Sequence, residues 1–351
     1  GGVDDQIGYE INIYNVARAD KFGNYEIQHA VLIPEGKIKF PKSLNKNDIE
    51  ETPKHNIFEG LLLIQKMNID VIFYIPTTWR ALTTYRCIFE ALKIPIIGPS
   101  AECQGLAFNK ITTRAIVQNV GIKCAPGCII NYDEKDNLEL ILKKIVSNNF
   151  NFPVIVKAPC DDDSLGVYVV KEEKDLIEKV NQAFTLQNKS QILIEKLIPG
   201  REVRTIVLED ENGEYLFLPE VEFVLDGPND IRKLENKQFG FLQEKTNKIH
   251  TCCKRIFMDT EKDKELIERL RKITTTSLKT IQINDFGICD FRYDPEEDEI
   301  YLLEFGLANW FTDRSNYTMC GKQIGMTQEQ IIDLCFNNAI KRFNARNAEK
   351  K

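Results

Sequence analysis

The chain has 351 residues, 43% hydrophobic and 28% charged, enough apolar material for two or three units with buried cores. Its 53 acidic and 46 basic side chains give a net charge of -7, which excludes a protein that works by blanketing nucleic-acid phosphates. No apolar run approaches the about 20 residues of a membrane-spanning helix, and no signal-peptide pattern opens the sequence, so a cytoplasmic protein with no membrane partner is expected.

Up to about residue 100 the pattern alternates between strand and helix. Ile11–Val16 and Asp70–Ile75 are apolar runs of strand length, Phe58–Met67 and Leu82–Leu92 have amphipathic helical spacing, and Pro95–Gly98 reads as a short strand closed by glycine. That order predicts a small α/β domain with a parallel sheet. It carries no G-x-G-x-x-G, so the nucleotide-binding fingerprint of a dinucleotide fold is missing from it.

Beyond residue 100 the texture changes. Asn109–Val120, Glu134–Val146, Leu176–Phe184 and Glu261–Ile281 read as helices. Pro153–Lys157 and Val167–Val170 read as a hairpin, followed by strands at Gln191–Leu197, Val203–Leu208, Tyr215–Val224, Gly287–Tyr293 and Glu299–Phe305. Paired strands with helices laid on them predict two α+β lobes. Asp226–Lys254 is polar and long, a length that goes with function or disorder. The expected division is an N-terminal unit over 1–100, a first lobe over 101–188 and a second over 189–345. The cysteines are expected to be reduced thiols, Cys87, Cys289 and Cys335 among them inside apolar patterns, because a disulfide framework would be unusual in so large a core; the lack of a C-x-x-C pair and the three scattered His argue against zinc.

Three stretches carry chemistry. In PVIVKAPCDDDSLGVYVV, Lys157 ends an apolar strand before a small-residue turn, which can place an ammonium and backbone N–H groups around a polyphosphate. An ordinary hairpin with a surface lysine reads the same way. In ILIEKLIPGREV, an apolar strand runs into Glu195, Lys196, Leu197 and Ile198, with Glu202 beyond a Pro-Gly turn. In ICDFRYDPEEDEIYLLEF, Asp290 and Glu304 lie on two strands joined by an acidic turn, where both carboxylates could reach one divalent cation. Arg292, on the same strand face as Asp290, and Arg204 could each supply a cation to that region.

The order and spacing of these stretches resemble the ATP-grasp superfamily, and within it the D-alanine–D-alanine ligase family, over nearly the whole chain. The passage IPIIGPSAECQGLAFNKITTRAIVQNVGIKCAPG resembles the family's entry into its nucleotide clamp. The resemblance implies an ATP-grasp fold behind a Rossmann-like N-terminal domain. It implies Lys110 and Lys157 on phosphate and Ser164 in the phosphate-covering loop. Glu195, Lys196, Leu197 and Ile198 would lie at adenine, and Glu202 at ribose. Asp290 and Glu304 would hold Mg²⁺ or Mn²⁺. It also implies roles for Lys157 and Ser315 in catalysis, to which the strand-face position of Arg292 adds a third catalytic candidate, and a homodimer is one assembly it allows.

The departures are specific. The family's oxyanion arginine is replaced by Ile288, its second metal-binding asparagine by Gly306, and an oxyanion glycine by Trp310. Asp161, Asp162 and Asp163 sit in the phosphate loop, and Pro76-Thr77-Thr78-Trp79-Arg80 replaces the family's histidine-glycine stretch. The implied activity is ATP-dependent joining of a small carboxylate to an amine through an acylphosphate, on a substrate other than D-alanine. A non-catalytic nucleotide-binding switch or scaffold is the alternative.

Overall fold

The computed structural model describes residues 25–33, 36–74, 79–160, 166–187, 190–227, 229–232, 254–307, 311 and 315–348. The expected strand at Ile11–Val16 lies outside them. Strands β1 (Val31–Ile33), β2 (Lys37–Lys39) and β3 (His55–Asn56) form a small antiparallel sheet, with helix α1 (Lys46–Glu51) between β2 and β3. Helix α2 (Ile57–Lys66) starts at a capping box, in which Asn56 and Glu59 satisfy each other's backbone N–H. Helix α3 (Trp79–Ala91) follows. Among the described residues the expected parallel sheet amounts to one parallel bridge, Ile72 to Ile96. Pro95 donates no N–H, and Gly98 turns the chain at a φ of 84°, so only a short ladder can form there.

Helix α4 (Ala101–Phe108) was not evident from periodicity, because Ala101, Cys103, Gln104 and Ala107 are all buried and no single apolar stripe stands out. Helix α5 (Lys110–Asn119) is separated from it by Asn109, whose side chain accepts from the N–H groups of Ile111 and Thr112. That cap sets Lys110 at the first turn.

Two antiparallel sheets follow. The first contains β4 (Gly127–Asn131), β5 (Val154–Lys157), β6 (Val167–Val170) and β7 (Gln191–Lys196) in the order β4-β7-β5-β6. Helices α6 (Leu138–Ser147) and α7 (Leu176–Gln187) pack against it, sharing one core with Val154, Val156, Ile192 and Ile194. Because β7 pairs with both β4 and β5, this sheet runs past residue 188, where the sequence placed the end of the first lobe.

The second sheet contains β8 (Arg201–Glu209), β9 (Tyr215–Val224), β10 (Lys254–Phe257), β11 (Phe286–Asp294) and β12 (Glu299–Gly306) in the order β10-β9-β8-β11-β12. Helix α8 (Lys264–Ile281) packs with α4 and α5 in one core against this sheet. Helices α9 (Asn316–Gln323) and α10 (Gln328–Ala348), which the sequence reading did not identify, contribute to a second core with Ile206, Leu208 and Ile288. Covered on both faces, β8 and β11 read as nearly continuous buried runs. The charges within them, Glu202, Arg204, Asp290 and Arg292, are therefore exceptions that need partners.

Cys103, Cys124, Cys289 and Cys335 are buried free thiols, and burial pushes Cys103 and Cys124 up to about 12, which keeps them protonated. Cys87, expected inside an apolar pattern, is exposed. No helix among the described residues is long and apolar enough to cross a membrane.

Candidate nucleotide cleft

A cleft opens between the two sheets, lined by Lys157 and Glu195 from the first and by Glu202, Asp290, Arg292 and Glu304 from the second, with Lys110 entering from α5. Lys157 ends β5 and bonds Glu195, which faces Ile155 across the β5–β7 ladder. The second oxygen of Glu195 is bonded by Arg114 of α5. Arg114 reaches it past Gly127, where an added Cβ would lie 2.7 Å from the Ile194 carbonyl and 3.0 Å from the Arg114 guanidinium. A glycine is required by that close approach.

Lys110 pairs with Glu304 at 3.0 Å, and its backbone N–H donates to the Pro159 carbonyl at 2.8 Å, tying α5 to the chain just beyond β5. The two lysines therefore reach one cleft from different elements.

The far wall is a charge pattern built by strand register. Arg204, Asp290 and Glu304 lie opposite one another on β8, β11 and β12, and Glu202 lies opposite Arg292 one step along the same face. Arg204 grips Asp290 with both prongs, Nε to Oδ1 and Nη2 to Oδ2, each at 2.6 Å. Arg232 adds a third bond to Asp290 at 3.1 Å and also bonds Glu202, with its guanidinium 3.6 Å over the Phe223 ring. Burial alone would raise the Asp290 carboxyl, but Arg204 and Arg232 hold it below the ordinary carboxylate range.

Other expected residues are placed differently. Arg292 donates to the carbonyls of Ile198 at 3.0 Å and Asp230 at 2.6 Å and lies 3.8 Å from Glu202, so its guanidinium holds the Pro199-Gly200 turn in place. Lys196 and Ile198 line the cleft. The backbone N–H of Lys196 donates to Pro126 and that of Leu197 to Pro153, so both are satisfied within the sheet. Ser315 caps α9 by accepting from Thr318 N–H at 3.2 Å and is not among the residues lining the cleft. Ile288 faces Gly306 across the ladder, where an added Cβ would sit 3.2 Å from the Ile288 side chain. At these two positions the packing is apolar and tight, and Ile288 belongs to the second core. Ser164, Trp310 and Asp161–Asp163 lie outside the described residues.

Two contributors escaped the sequence reading, Arg114 and Arg232. Arg114 lies inside the passage that resembles the clamp entry and Arg232 inside the polar stretch Asp226–Lys254, but nothing local marks either as the partner of a carboxylate 81 or 58 residues away in the chain.

Asp290 and Glu304 stand opposite each other, as a shared metal would need. The surrounding charges do not suit magnesium. Both Asp290 oxygens accept from guanidinium groups, and Glu304 pairs with Lys110. Among the described residues, Lys110, Lys157, Lys196, Arg232 and Arg292 line the cleft against four carboxylates, with Arg114 and Arg204 adding cations behind them. Magnesium needs open oxygens in near-octahedral array, and among the described residues it would join more cations than carboxylates.

Two antiparallel sheets closing on a lysine-rich cleft, behind a small N-terminal unit, define an ATP-grasp protein. The family model described as D-ala D-ala ligase C-terminus matches residues 116–336, and the chain belongs to that family. It is 27% identical over 262 residues to the bifunctional enzyme MurC/Ddl of Chlamydia pneumoniae, covering 74% of this chain but only 31% of that larger protein. It is 26% identical to a D-alanine–D-alanine ligase of Carboxydothermus hydrogenoformans, over 89% of this chain and 94% of that one. Among solved structures, a D-alanine–D-alanine ligase from Bacillus anthracis complexed with ATP superposes with a TM-score of 0.62 at 18% identity, covering 81% of this chain and 84% of that one. These relatives are ligases, which supports an enzyme here.

Proposed function

We propose that the protein is an ATP-dependent carboxylate–amine ligase whose substrate is not D-alanine. The observation that carries this is the meeting of Lys110 and Lys157 in one cleft with Glu195 and Glu202, beside the Lys196–Ile198 edge. In this reading the lysines neutralise the phosphates. The γ-phosphoryl group passes to a carboxylate to give ADP and an acylphosphate, and an amine then displaces phosphate to form an amide. The chain's contribution is positioning and charge neutralisation. No step runs through a metal at Asp290, whose two oxygens already accept from Arg204 and Arg232. Ile288 and Gly306 leave the wall without side-chain donors where the family has arginine and asparagine, which supports a different substrate.

The test is a screen of amino acids and short peptides for ATP-dependent phosphate release. D-alanine is expected to give none above the ATPase background, and another carboxylate–amine pair is expected to stimulate release. Formation of D-alanyl-D-alanine at about 1 s⁻¹, the low end of typical enzymes, would refute the substrate assignment. A second reading, a nucleotide-binding protein without turnover, is favoured by the closed Arg204–Asp290 fork. Tight ATP binding with no amino acid stimulating release across the screen would select it.

A further inference from the structure

We infer that the cleft takes the nucleotide's polyphosphate as the metal-free anion, with the Arg232 guanidinium, backed by Arg204 behind Asp290, standing where a divalent cation would bridge protein and phosphate. This rests on the nucleotide reading above and deepens it. Arg232 lines the cleft and is bonded to both Asp290 and Glu202, so it presents a fixed positive charge at the carboxylate row. Arg204, opposite Asp290 in the β8–β11 ladder, is the positioning residue. Its two-pronged grip consumes Asp290's charge and turns it into an anchor for cations.

A carboxylate pair that receives magnesium must turn oxygens towards the ion in near-octahedral array. Here the same pair is met by Arg204, Arg232 and Lys110, while Phe223 stacks beneath both guanidinium groups at 5.1 and 3.6 Å. The rings and strands that hold these cations are buried, so the charges are set before any ligand arrives. A polyphosphate meets a site that already carries compensating charge. A polyphosphate with magnesium brings two further positive charges into it.

Arg204 acts through Asp290, so its removal has a consequence that simple structural damage would not produce. Asp290 and Glu304, which stand opposite each other, become available to a divalent ion, and nucleotide binding acquires a metal requirement.

The experiment is calorimetric titration of the full chain with ATP in excess EDTA and in excess Mg²⁺, repeated on Arg204→Ala and Lys157→Ala. The wild type is expected to bind ATP in EDTA at least as tightly as with Mg²⁺. Arg204→Ala is expected to lose about tenfold or more in EDTA, the scale of one charge-assisted hydrogen bond, and to recover affinity when Mg²⁺ is added. Should the variant fail to fold, the wild-type comparison decides alone. Wild-type binding that needs Mg²⁺ and is weakened by Lys157→Ala overturns the inference while leaving the nucleotide reading intact. An Arg204→Ala protein with unchanged affinity in EDTA also overturns it. Folded wild type that binds no ATP in either condition overturns both.

Discussion

The strand β11 carries two aspartate–arginine forks, one end-on through Nη1 and Nη2 of Arg342 and one side-on through Nε and Nη2 of Arg204. At its start Asp285 accepts both prongs of Arg342 at 2.7 and 2.8 Å, and the Gly98 N–H at 2.5 Å. At its middle Asp290 accepts both prongs of Arg204. The first fork is sealed: Asp285 has a fully buried side chain, and Arg86 beside it is spent on the carbonyls of Ile97 and Gly98. It joins the N-terminal unit, the five-stranded sheet and α10. The second fork opens on a cleft where Arg232 gives Asp290 a second cationic partner. One pairing therefore serves as a rivet in one place and as a charged wall in another. The surroundings decide which.

The sharpest way to test that contrast is Asp285→Ala. It leaves Arg342 without its fork in a partly apolar interior, and breaking a buried pair on one side costs about 3–5 kcal/mol. Denaturant titration is expected to show a loss on that scale, while ATP affinity of the folded protein is unchanged. A change in ATP affinity at normal stability would mean that the rivet and the wall are coupled.

Within the cleft, Lys157→Ala is expected to weaken ATP by about tenfold or more, the loss of one charge-assisted contact. Lys174→Ala is the control, because that side chain is 71% exposed in a charged turn and should leave affinity unaltered. Equal affinities for the two variants, measured by calorimetry, would show that the phosphate site lies elsewhere.

A third fork sets the lower end of the scale. Arg201 holds Asp263 at 2.7 and 3.0 Å in a partly buried setting on the five-stranded sheet, and its hydrogen bonds lower the Asp263 carboxyl. A lowered folded-state pKa stabilises above the unfolded value of about 3.9, and that stability is lost as pH falls through the folded value. Asp263→Asn is expected to cost no more than about 1 kcal/mol at neutral pH, since the pair is screened. It should also flatten the decline in stability below about pH 4. A steeper decline in the variant would mean that Asp263 is not held low by Arg201.

The sequence by itself determined most strands and helices of both lobes from residue 109 to 305, among them the lysine-ended strand at Lys157, but not β4 or β10, whose short runs carry no clear alternation. The elements it determined follow from local periodicity, and a charge inside an apolar strand stands out without any knowledge of its neighbours. It also placed Asp290 and Glu304 on adjacent strands, because a short acidic turn permits only a hairpin. What only the tertiary structure decided is which group answers each carboxylate. Arg204 meets Asp290 through the pairing of β8 with β11, and Arg114 meets Glu195 across a glycine in β4. Ser315, aligned with a family serine, became a helix cap, and β7 joined the first sheet rather than the second lobe. Strand order and register depend on burying faces formed by residues far apart in the chain, so the partner of a buried charge is fixed only when those faces close.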